Sequence, residues 1–101
     1  MSLESIMEEE ARLAILRELA NEDNKAMSSA RMQKILLTKL WIDKPREWVE
    51  VQYLYLRDMN AVTLLQADTV KIARLAERGE YHLQGIVTIP GVQPPSARDR
   101  V

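Results

Sequence analysis

Of the four prolines in this 101-residue chain, Pro45 alone precedes residue 90, and only three glycines occur anywhere. Proline lacks a backbone N–H and clashes with the preceding helical turn, so inside a helix-rich sequence it marks a boundary. Helical periodicity is present on both sides of Asp43-Lys44-Pro45. Upstream, Met32, Ile35, Leu36 and Leu40 recur at helical spacing, and Ser28 or Ser29 can cap the start of that helix. Downstream, Asp43 is a good N-cap and Pro45 suits a first helical turn, so a further helix is predicted from Pro45 to about Met59. Two helices joined by so short a connection form a helix-turn-helix unit.

The flanking segments complete a pattern. Ser5 and Glu8 have capping-box spacing, although Leu3 can start the helix one turn earlier. Ala11, Ala14, Ile15, Leu16, Leu19 and Ala20 then recur at helical spacing until the polar run Asn21–Asn24. On the helix after Pro45, the wheel groups Trp48, Val49, Gln52, Tyr55, Leu56 and Met59 on a broad apolar side. Arg46, Glu50 and Arg57 form a polar stripe with Tyr53 at its edge. Asn60 suits a left-handed cap. Val62–Leu65 and Thr69–Leu75 read as two strands separated by Gln66-Ala67-Asp68, and a short helix follows from Ala76 to Gly85. The order implies an α+β, mainly helical domain over residues 1–93, a winged helix-turn-helix with three helices, a β-hairpin wing and a short C-terminal helix. Residues 94–101 read as a flexible tail.

Composition removes several function classes. There is no cysteine and a single histidine, His82, so thiolate chemistry, disulfides and multi-histidine metal sites are excluded. Glu8, Glu9 and Glu10 read as a solvated helix start. No phosphate-binding loop, dinucleotide fingerprint or nucleophile elbow occurs, so no enzyme, cofactor or metal is expected. No apolar run is long enough to span a bilayer, and the start lacks the basic and apolar segments of a secretory signal. A cytoplasmic location is therefore expected.

Three segments carry a resemblance. They are Arg12-Leu13-Ala14-Ile15-Leu16-Arg17-Glu18-Leu19, the stretch from Val49 through Val62, and Ala73-Arg74-Leu75-Ala76-Glu77-Arg78-Gly79 followed by Val87-Thr88-Ile89-Pro90-Gly91-Val92-Gln93-Pro94. In these the chain resembles the small winged-helix proteins of Mu-like phages and prophages, which are often labelled arsenic-repressor-like regulators. The chain departs from that pattern at Asn60, where glycine is usual, and at Ala76, where threonine is usual. The resemblance implies a phage-derived regulator or a packaging-region protein.

Two functions follow as expectations. The first is a transcriptional regulator that binds double-stranded DNA through its third helix and wing. Arg31, Lys34, Lys44, Arg46, Tyr53, Arg57 and Lys71 would make the contacts, and most of the cations would form one basic stripe. A homodimer through the N-terminal helix, with Leu3, Ile6 and Met7, would present two reading heads. The second is an adaptor in phage assembly or packaging that docks a phage protein and binds no DNA. The formal net charge of −1 and the carboxylates Glu47 and Glu50 on the third helix favour this second function. An exposed apolar patch near Tyr53 and Leu54 would be its mark.

Overall fold

Helix α1, Leu3–Asn21, begins where the Ser2 side chain accepts the Ser5 N–H at 3.1 Å. The cap is therefore Ser2 and not the Ser5 box, because Ser2 already satisfies the Ser5 donor and leaves Ser5 inside the first turn. The computed structural model describes residues 2–95. Strand β1, Ala26–Ser28, leads directly into α2, Ser29–Leu40, whose cap is Ser28 accepting the Arg31 N–H. Helix α3 covers Arg46–Asp58, and Pro45 itself occupies its N-cap with no side-chain hydrogen bond. Asp43 is thus not the cap. The Pro45 carbonyl accepts from Trp48 and Val49 instead, at 3.0 and 3.3 Å.

Asn60, at φ 62°, turns the chain into β2, Val62–Ala67. Strand β3 covers Val70–Leu75, and α4 covers Glu77–Leu83. The hairpin turn is shorter than expected. Ala67 pairs with Val70, so only Asp68 and Thr69 connect the strands, and Asp68 takes the left-handed conformation at φ 58°. Tight hairpins require such a residue, and aspartate tolerates it. The described residues form four helices and one antiparallel sheet of order β1-β3-β2. Mainly helical α+β architecture is the result.

The register shows which backbone groups the sheet leaves open. The Ala76 N–H donates to Ala61 O, and the Leu75 N–H donates to Lys25 O. Hydrogen-bonded pairs alternate in an antiparallel ladder. Thr63, Leu65 and Ala67 therefore bond β3, whereas Val62, Leu64 and Gln66 turn their backbone groups toward the outer edge of β2. No strand of the described chain pairs with that edge.

The core lies where α1, α2 and α3 meet the inner sheet face. Ile15, Leu16, Leu19, Met32, Leu36, Val49, Leu56, Val62 and Ala73 are all buried there. Ile89 and Val92, from the segment after α4, close it. His82 clamps that segment. Its Nδ1 accepts the Ile89 N–H at 3.2 Å, which assigns the proton to Nε2 and lets Nε2 donate to Gln93 O at 2.9 Å. Pro95 is buried, and residues 96–101 of the expected tail lie outside the described residues.

Gly79 tests this packing. A Cβ there would stand 2.5 Å from Ala61 O and 2.8 Å from Leu75 Cδ1. Helix propensity alone favours alanine over glycine by about 1 kcal/mol. Overlap with backbone outweighs it, so Gly79→Ala is expected to lower unfolding free energy by about 1–3 kcal/mol in urea titrations.

A candidate interaction face around helix α3

The rotational setting of α3 decides what the protein presents. Val49, Gln52, Tyr53 and Leu56 are buried, a spacing of three, one and three residues that defines one helical face. Gln52 is held there by Arg12, whose Nε donates to Gln52 Oε1 at 2.8 Å, and by a 3.4 Å bond from its own Nε2 to Glu8. Tyr53 is 0% exposed, and its hydroxyl donates to Met27 O at 3.0 Å. The expectation that Tyr53 lies at the surface and contacts DNA is therefore corrected. Its ring fills the core between α3 and β1, and its hydroxyl satisfies a strand carbonyl. Burial pushes the phenol well above its ordinary range, and the charge of Glu50 adds to the rise.

Trp48 and Tyr55, expected in the core, are only half-buried. Lys44 Nζ lies 5.7 Å from the Trp48 ring, and the Arg12 guanidinium stacks 3.7 Å from the Tyr55 centroid. The Tyr55 hydroxyl donates to Pro90 O at 2.8 Å.

With Tyr53 turned inward, the outward stripe of α3 is Glu47, Val51, Leu54 and Asp58. Val51 is 54% exposed and Leu54 half-buried. A crevice of about 180 Å³ opens between this stripe and the hairpin, with Leu54, Leu64 and Leu65 as its apolar walls. Leu65 is 64% exposed. Arg57 and Lys71 stand at the same crevice. Val51 and Leu65 escaped the sequence reading because one looks like ordinary helix and the other like ordinary strand. The inward turn of Tyr53 leaves Val51 facing out, and Leu65 stands at the crevice beside Leu54.

The expected basic residues are placed as follows. Arg31 lies 2.7 Å from Glu22, and Lys44 lies 4.0 Å from Glu4 on α1. Arg46 Nε lies 3.5 Å from Glu50, which also accepts the Ser29 hydroxyl at 2.6 Å. The Ser29 hydroxyl in turn accepts the Lys71 N–H at 3.3 Å, so α2, α3 and β3 are tied together behind Arg46. Arg57 lies 3.1 Å from Asp58, and Lys71 Nζ donates to Gln66 at 3.1 Å. Lys34 is exposed on α2, with no ion pair among the described residues. Arg57 and Lys71 thus meet at one crevice, Arg46 lies at the opposite end of α3 beside Glu50, and Arg31 and Lys44 are held at Glu22 and Glu4.

Exposed ion pairs are worth only about 0–1 kcal/mol, so pairing alone does not disable a cation. Composition matters more. Helix α3 carries Arg46 and Arg57 against Glu47, Glu50 and Asp58. Its local charge is negative, and its outward apolar residues have no hydrogen-bonding group for a base edge. Among the described residues no three metal-ligating side chains converge, and no helix is long and apolar enough to cross a membrane.

Tyr53→Phe keeps the buried ring and removes the bond to Met27 O, and it is expected to cost about 1 kcal/mol. The pH dependence has a definite sign. Above about pH 10 an unfolded chain releases the Tyr53 proton while the folded chain retains it, so the folded state binds more protons and stability falls as pH rises. Melting temperatures measured between about pH 9 and 11 are expected to decline less steeply for Tyr53→Phe than for the parent.

Compared with known proteins, the chain matches no family model, no curated protein and no solved structure.

Proposed function

We propose that this domain is a winged helix whose third helix and wing dock a protein segment and not duplex DNA. The winged-helix reading is supported by the element order α1-β1-α2-α3-β2-β3, with the short α2–α3 connection and the β2–β3 hairpin. The docking reading is carried by one observation, the outward stripe Glu47, Val51, Leu54 and Asp58, of which Leu54 reaches the crevice it shares with Leu64 and Leu65. A reading helix lies against phosphates, where each carboxylate is repelled. A crevice that sets Leu54, Leu64 and Leu65 among Arg57, Gln66 and Lys71, beside an open strand edge, instead suits an extended peptide, which gains backbone bonds at Leu64 and Gln66 and buries aliphatic side chains. The resemblance to small Mu-like phage proteins makes a phage assembly or packaging protein the proposed partner.

Duplex binding is the second reading, and a specific observation favours it. Arg57 and Lys71 share one crevice, and exposed Lys34 and Arg74 lie on the adjoining α2 and β3. Fluorescence anisotropy of labelled duplexes separates the two. Non-specific binders reach dissociation constants of about 1–100 μM at physiological salt and bind more tightly as salt falls. The expected result is no binding at about 50 μM protein in low salt. Salt-sensitive binding that disappears in an Arg46→Ala/Arg57→Ala variant would instead establish the second reading.

A further inference from the structure

The crevice between α3 and the hairpin carries charge as well as aliphatic groups. Lys71 on β3 stands directly across from Gln66 on β2, and its Nζ donates to Gln66 Oε1 at 3.1 Å. That bond draws the ammonium over β2, toward the edge that no strand of the described chain covers. Arg57, one turn after Leu54 on α3, lines the same crevice, and no carboxylate does. Asp58 lies 3.1 Å from Arg57, but both side chains are more than half exposed, where water weakens the pair. Glu50 is bound by Ser29 and Arg46, Glu47 lies near the other end of α3, and Asp68 stands in the hairpin turn. Arg74, three residues after Lys71, faces the opposite side of the sheet.

The sheet register fixes which docked side chains would meet these groups. Residues of an added strand that lie beside Leu64 and Gln66 point to the same face as those two, because side chains alternate along a strand. Resting on the docking reading, we infer that the docked segment is acidic and aliphatic and extends the sheet at β2. One of its carboxylates lies beside Gln66, and an aliphatic side chain two residues away lies beside Leu64. The carboxylate meets the ammonium that Lys71 brings over Gln66 and the guanidinium of Arg57 on the α3 wall. The aliphatic group packs on Leu64 and Leu54. A basic segment gains the same backbone bonds but sets like charges together, so backbone pairing admits many peptides and the two cations choose among them.

Selection from a random peptide display library against the full chain tests it, followed by synthesis of the enriched peptides. Enrichment of aspartate or glutamate two positions from leucine, isoleucine or valine is expected. The synthetic peptides are expected to slow amide hydrogen exchange at Leu64 and Gln66, whose N–H groups the added strand would engage. In an Arg57→Glu/Lys71→Glu variant their affinity is expected to fall at least about tenfold, and peptides with lysine in place of the acid regain it. That recovery also shows the variant to be folded. Peptides that protect Leu64 and Gln66 with no preference for an acid, or acidic peptides that bind parent and variant alike, would overturn the inference and leave the docking reading standing. A library that yields no peptide protecting those amides would overturn both.

Discussion

Arg12 is the contact on which the arrangement of the rest depends. Its guanidinium donates to Gln52 on α3 and to Gly91 O in the segment after α4, both at 2.8 Å, and stacks on the Tyr55 ring. Glu8, one turn earlier on α1, lies 3.9 Å from it. A planar group with five fixed donors is suited to joining three elements at once. Gln52 and Tyr55 are three residues apart, so holding both fixes α3 about its own axis. That setting sends Tyr53 inward and leaves Glu47, Val51, Leu54 and Asp58 facing out. The closing segment is fixed by the same contacts, since Tyr55 reaches Pro90 O and His82 holds Ile89 and Gln93.

The chemistry of the surface follows from this rotation. An α3 turned the other way would present Tyr53 between Arg46 and Arg57, a combination well suited to phosphates and bases. As folded, Tyr53 serves the core and Glu50 serves Ser29. The cations that remain near α3 share their surroundings with acids. The same order of elements thus carries a different face, and fold alone does not determine what a domain binds.

Much of the architecture was legible because local signals were strong. Ser28 caps α2 as its position suggested, Pro45 stands at the start of α3, and Asn60 takes the left-handed turn before β2. Strand β1 was invisible because three residues show no alternation, and its stability comes from β3, more than forty residues away. Tyr53 was misplaced because a wheel assigns a residue at a polar edge by its neighbours, whereas the Met27 carbonyl that accepts its hydrogen bond lies on β1. Glu50 beside Arg46 could be anticipated from spacing of four residues. Glu22 beside Arg31 and Glu4 beside Lys44 could not, since only the folded chain brings them together. The Arg12 junction had no motif at all.

The absence of cysteine allows the setting of α3 to be measured directly. Single cysteines placed in turn at Glu47, Val49, Val51, Tyr53, Leu56 and Asp58 would each be reacted with a maleimide in the folded protein. Fast labelling is expected at Glu47, Val51 and Asp58, with strong protection at Val49, Tyr53 and Leu56. Rapid labelling at Tyr53 in a variant that remains folded, with protection at Val51, would contradict the inward turn of Tyr53 and restore a polar reading face to α3.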